Sequence, residues 1–164
     1  MSTPILLDCD PGHDDAIALL LALASPELDL LGVTTVAGNQ TLDKTTENAL
    51  RVLELAGRGD VPVAAGADRP LARELFIAAY VHGETGMDGP ALPEPQGSAV
   101  HEHAVDFLAE RILGSDRPVT IVPVGPLTNV ALAFRADPTL AARFKQIVIM
   151  GGGLHAGNIT PNAE

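Results

Sequence analysis

The sequence predicts an α/β fold: a doubly wound, mostly parallel sheet with helices on both faces. Three observations predict it. Apolar runs of strand length alternate with stretches at helical period. Hydrophobic residues make up 46% of the chain and aromatics only 3%, so Ala, Leu and Val must fill the interior, as suits helices packed on a buried parallel sheet. Turn signals such as Asp10-Pro11-Gly12 and Ala37-Gly38-Asn39 fall where strands end.

Taken in order, Ile5 to Asp8 reads as a first strand, and Asp14 to about Ala24 as a helix whose acidic first turn suits the dipole. Leu28 to Val36, rich in β-branched residues, is a second strand. Thr41 to Ala56 is a helix closed by Gly57, and Val61 to Ala64 a short strand. Gly66 to Gly97 lacks a strong period and reads as a long loop with some helix. Ser98 is placed to cap a helix striped by Val100, Ala104, Leu108 and Ile112. Val119 to Val124 is a strand, Leu127 to Phe134 a helix, Gln146 to Met150 another strand, and Gly151 onward a loop. No internal repeat, low-complexity tract or linker interrupts the pattern, so residues 1–164 read as one domain.

Composition narrows the function classes. There are 21 acidic and 10 basic side chains, a formal net charge of −11, which disfavours a nucleic-acid or anionic-membrane partner. The longest uninterrupted apolar run, Ala16 to Ala24, falls well short of the ~20 residues of a membrane span. No basic leader precedes the first strand, and Cys9 is the only cysteine, so a reducing, cytoplasmic setting is expected.

In a doubly wound sheet, ligands bind beyond the carboxyl ends of the strands. Functional residues should therefore lie near Asp8–Asp15, Asn39, Val124 and Met150–Glu164. The first of these segments is the most telling. Asp8, Asp10, Asp14 and Asp15 put four carboxylates across one strand–turn–helix junction, with no Lys or Arg before Lys44. Two such acids would merely satisfy a helix N-terminus. Four in one cleft must raise each other's pKa or recruit a cation, and an all-oxygen set selects calcium or magnesium over zinc.

Asp8-Cys9-Asp10-Pro11-Gly12-His13-Asp14-Asp15-Ala16 resembles the DxDPGxDDA signature of the calcium-dependent nucleoside hydrolases of the inosine/uridine-preferring type. Four further segments agree in order. They are Val33 to Asn39, His82 to Gly89 (the family's mobile active-site loop), Val122 to Asn129 (its metal-carbonyl turn) and Met150 to Pro161 (its sugar-binding loop). The resemblance implies a Rossmann-like fold and hydrolysis of ribonucleosides to ribose and base by calcium-bound water, in nucleoside salvage.

Position by position, the resemblance implies that Asp10 and Asp15 ligate calcium with the Val124 carbonyl, Asp10 also taking a proton from the water. It implies that Asp14, Asn39, Asn158 and Glu164 hold ribose hydroxyls, Met150 lines the sugar and His82 closes over the nucleoside. Asp8 would support rather than ligate. Carboxylates around the sugar suit the oxocarbenium-like charge that develops as the bond breaks. Family members form dimers or tetramers and extend past Glu164, with another ribose-binding Asn, a last calcium-ligating Asp and an adjacent His. This sequence is therefore the N-terminal portion of such a domain, its sheet incomplete at the C-terminus, expected to bind calcium weakly and turn over little by itself.

Two other functions remain open at this level. An inactive calcium- or ribose-binding remnant would keep only part of the site. An aspartate-based phosphatase would use one Asp of Asp8-Cys9-Asp10 as nucleophile with magnesium, although no well-placed phosphate-binding Lys follows. Outside its resemblance, His82 reads as a solvent-exposed loop histidine. His101-Glu102-His103 lacks the second His, four residues after the first, that a zinc helix needs. Gly151 to Gly153 lacks the spacing of a phosphate-binding loop and reads as backbone approaching a sugar.

Overall fold

The computed structural model describes residues 2–153 and 155. Their five strands are β1 (Thr3–Cys9), β2 (Leu28–Thr35), β3 (Val63–Ala65), β4 (Val119–Pro123) and β5 (Phe144–Ile147). The helices are α1 (His13–Ala24), α2 (Leu42–Leu55), α3 (Ala79–His82), α4 (Ala104–Gly114) and α5 (Thr128–Ala136), with a 3-10 turn over Pro138–Ala142. The strand order is β3-β2-β1-β4-β5, and every pairing is parallel. The chain builds outward from β1 in one direction, then returns to its other side with β4. The carboxyl ends of β1 and β4 therefore flank the point where the winding reverses, which is where such sheets open a crevice.

Both faces of the sheet are covered, which is why β1 is apolar at successive positions. Leu6 packs with Phe107, Leu108 and Ile112 of α4 and Val130 and Ala133 of α5. Leu7, one residue on, points the other way to Leu19 of α1 and Ala49, Val52 and Leu53 of α2. Leu6, Leu19 and Leu108 are enclosed, and each such side chain contributes roughly 1.5–3 kcal/mol by leaving water. Cys9 is also enclosed; its Sγ lies 3.7 Å from the Thr34 carbonyl, and burial pushes the thiol well above its ordinary pKa. Among the described residues no helix is long and apolar enough to cross a membrane.

Some boundaries differ from the sequence reading. The helix expected to start at Ser98 begins at Ala104 instead. His103 provides the cap, its Nδ1 accepting from the Val105 N–H at 3.2 Å. Val100 is drawn off the helical stripe because its N–H donates to the Val63 carbonyl at 2.8 Å, beside an isolated bridge to Ala64. β5 begins two residues earlier than expected and ends at Ile147, although Val148 and Met150 still donate to β4 carbonyls. The Gly66–Gly97 loop contains one short helix, α3. Gly57 closes α2 at φ 66°, a left-handed conformation that favours glycine.

Candidate active site

β1 delivers Asp8 and Asp10 to the reversal point, and the Pro11-Gly12 turn lets α1 start at once with Asp14 and Asp15. Asp15 faces inward because its Oδ2 accepts from the Gly12 N–H at 3.2 Å, closing the first helical turn over the junction. Asp10 lies between two glycines. A Cβ at Gly38 would stand 2.1 Å from its Oδ2 and one at Gly125 2.3 Å from its Oδ1, so both positions leave the carboxylate the space it occupies. Asn39 joins the two acids. Its backbone N–H donates to Asp10 Oδ2 at 2.7 Å, and its side-chain amide donates to the Asp10 carbonyl at 3.0 Å and to Asp15 Oδ2 at 3.3 Å.

Burial dominates the electrostatics. Asp10 is 5% exposed and Asp15 3%. Desolvation, followed by the Asp15 charge, raises Asp10 from the ordinary 3.8 to about 8, against the lowering effect of the Asn39 N–H. Desolvation, with the Asp14 charge, raises Asp15 to about 7 against the Gly12 N–H. Asp15 Oδ1 is buried without a hydrogen-bond partner. A partnerless buried carboxylate oxygen beside a second buried acid is the arrangement a hard cation relieves.

Asp10 and Asp15 therefore fit such an ion, and Val124 lines the same cleft. Among the described residues no three His, Cys, Asp or Glu side chains converge as a ready-made cage, and calcium takes about 6–8 oxygens.

Asp8 plays a different part. It is fully enclosed, with Oδ1 accepting from Thr34 Oγ1 at 2.5 Å and Asn129 Nδ2 at 2.8 Å, and burial raises it to about 6. The Val124 N–H donates to the Asp8 carbonyl at 2.8 Å, fixing the turn after β4 against β1.

A cleft of about 990 Å³ opens over these residues, lined by Asp10, Asp14, Asp15, Asn39, His82, Val124 and Met150 among others. All the site residues expected from the sequence and described in the structure thus converge; Asn158 and Glu164 lie outside the described residues. Among the described lining residues there is no Lys or Arg, so the phosphatase reading finds no phosphate anchor among them.

His82 departs from expectation. It is half-buried, standing at the end of α3 with its ring stacked on His13 at 5.6 Å between centroids. The loop after it is tied down by side chains. Gln40 Nε2 donates to the Gly83 and Glu84 carbonyls at 3.1 Å each, and the Lys44 ammonium also donates to Glu84. Asn48 Nδ2 donates at 3.0 Å both to Thr85 in the loop and to Pro11 in the acidic turn.

Sequence reasoning missed these amides, and it missed His13, Phe76 and Tyr80 in the cleft wall. The aromatics carried a usable signal. The chain has only one Tyr and four Phe, so two of them close together in a loop are conspicuous.

The geometry has counterparts in known proteins. A family model described as inosine-uridine preferring nucleoside hydrolase matches residues 5–164. The pyrimidine-specific ribonucleoside hydrolase RihA of Shewanella sp. (strain MR-7) is 62% identical over 100% of this chain and 52% of its own length. That of Photobacterium profundum is 59% identical, over 100% and 53%. The chain therefore spans about half the length of these curated relatives. Among solved structures, a plant nucleoside hydrolase superposes with a TM-score of 0.90 at 42% identity, over 100% of this chain and 52% of that one. The purine-preferring ribonucleoside hydrolase from Gardnerella vaginalis gives 0.92 at 32% identity, over 97% and 52%.

Proposed function

This chain belongs to the inosine-uridine preferring nucleoside hydrolase family, and from that premise we propose that the protein hydrolyses the N-glycosidic bond of ribonucleosides to ribose and free base, with calcium as its metal. The observation that carries the reading is the pair of buried acids, Asp10 and Asp15, at the reversal point of the sheet, one with a partnerless oxygen. Family membership supports a metal-dependent hydrolase, and the all-oxygen donor set favours calcium. The chain is read as the N-terminal portion of the whole domain.

When bound, calcium would supply the charge that keeps Asp10 and Asp15 ionised and lowers the pKa of a water at the site. Asp10 is then the base that would accept a proton from the attacking water. Asp14, exposed in the cleft, accepts from ribose hydroxyls. Asn39 has both its side-chain amide contacts directed at Asp10 and Asp15, which leaves its Oδ1 to accept from a hydroxyl. Met150 covers the sugar, and Asn158 and Glu164 complete the ribose contacts. Positive charge developing on the ribose is stabilised by these carboxylates.

Relatives at 59–62% identity are named pyrimidine-specific, which supports uridine and cytidine as preferred substrates. The acidic composition and single buried thiol support a cytoplasmic protein without nucleic-acid or membrane partners, and the family resemblance supports a homodimer or homotetramer. The test is reducing-sugar release from uridine, cytidine, inosine and adenosine, with calcium and again with a chelator. Calcium-dependent release, fastest with the pyrimidines, is expected. Binding of nucleoside without any release would leave the ribose-binding remnant as the better reading.

A further inference from the structure

Asn48 sits on α2, only 5% exposed, and takes no part in the chemistry derived above. Its Nδ2 donates at 3.0 Å to two carbonyls, that of Pro11 in the acidic turn and that of Thr85 in the loop after His82. Each partner is 37 residues away, in opposite directions along the chain. Both partners can only accept, so the amide nitrogen must face them, and both of its hydrogens are committed.

We infer that Asn48 is a positioning residue: it locks the turn that carries Asp10 and Asp14 to the loop that follows His82, so that the floor and one wall of the cleft keep a single relative position. The loop is shaped to meet it. Gly86 has φ 86°, and a Cβ there would stand 2.9 Å from Asn48 Nδ2, so the backbone passes as close as glycine allows. Met87, the next residue, enters the core beside Leu7, Leu19 and Ala49. Lys44, one helical turn before Asn48, and Gln40, just ahead of α2, hold the Gly83 and Glu84 carbonyls.

Three side chains therefore receive three successive carbonyls of the loop, and of these three Asn48 alone also reaches the acidic turn. A second link between turn and loop, His13 Nε2 at 3.0 Å from the Asp88 carbonyl, lies at the exposed rim, where water can replace either partner. Water has no such access to the buried amide, so its two carbonyls lose their donor outright when it is removed. The consequence for turnover rests on the hydrolase reading above. Loosening the loop alone weakens the hold on the nucleoside, whereas releasing the turn as well disturbs the base, Asp10.

Amide hydrogen exchange tests the lock without turnover. In Asn48→Ala, the amides of Gly12 and Ala16 in the turn and of residues 84–88 in the loop are expected to exchange about tenfold faster, beyond any change at Leu6 and Leu7 in β1. Asn48→Asp, which keeps the shape and removes both donors, should do the same. Lys44→Met, which frees the loop alone, should speed residues 84–88 and leave Gly12 and Ala16 as they were. In uridine hydrolysis, both Asn48 variants should raise KM and lower kcat, and Lys44→Met should raise KM only. A uniform rise that includes β1, or a loop that loosens in the Asn48 variants while the turn and kcat stay unchanged, overturns the inference. Absence of hydrolysis by the unmodified protein would bear on the hydrolase reading alone, because exchange still decides whether turn and loop are locked.

Discussion

Asn129 Nδ2 stands 2.8 Å from Asp8 Oδ1, joining residues 121 positions apart at the centre of the molecule. The same amide nitrogen donates to the Thr35 carbonyl at 2.9 Å, and its oxygen accepts from the Ala67 N–H at 2.9 Å. One fully buried side chain thus ties α5 to β1, to the end of β2 and to the loop after β3. Truncation would leave buried polar groups unpaired. Asn129→Ala is expected to destabilise the chain by roughly 2–4 kcal/mol, read as a lower urea midpoint at unchanged slope.

The buried acids set a pH dependence of unusual sign. Asp8, Asp10 and Asp15 have folded-state pKa values of about 6, 8 and 7 against an ordinary 3.8. Between about pH 4 and pH 8 the folded chain therefore binds more protons than the unfolded one, so stability is greatest at the acid end and falls as pH rises. Thermal melts of the metal-free chain should show a higher midpoint at about pH 5.5 than at about pH 8. Asp10→Asn should flatten that slope and abolish any calcium-induced gain at the higher pH. A metal-free midpoint that climbs from pH 5.5 to pH 8 would contradict the assignment.

Gly125 gives a test of geometry rather than charge. An added Cβ would stand 2.3 Å from Asp10 Oδ1 and 3.0 Å from the Asp10 backbone nitrogen. The carboxylate must therefore move, and the backbone behind it cannot easily yield. Gly125→Ala is expected to cost about 1–3 kcal/mol and to weaken calcium stabilisation at least tenfold in midpoint concentration. Gly97→Ala, where a Cβ meets nothing within 4 Å, is the matched control.

How much of this was legible beforehand follows from how local each signal is. The Asp8–Asp15 cluster and the strand alternation are properties of contiguous residues, so periodicity and spacing reveal them. The reversal of the sheet at β1 and β4 was not among the sequence readings, because strand order is set by packing between segments remote in the chain. Val100 misled because its place is set by the Val63 carbonyl, a partner remote in sequence that overrides a helical period. Gln40 and Asn48 were silent for a related reason. A buried amide within a polar-faced helix, as Asn48, or just before one, as Gln40, resembles a solvated one until the loop that covers it is in place. His82 was placed outside because its segment has no period, whereas contacts with Gly12 and His13 draw it in.

The lone thiol also has a use. Cys9 sits in the central strand, one residue from each of Asp8 and Asp10, with no exposed surface and its ionisation suppressed. A thiol-labelling reagent can reach it only through an opening of β1, so the labelling rate is a native clock for the integrity of the carboxylate cluster. Any ligand that holds Asp10 and Asp15 together slows that clock in proportion to its occupancy, and one residue, with no engineered probe, reports binding at the cleft and the unfolding of the strand beneath it.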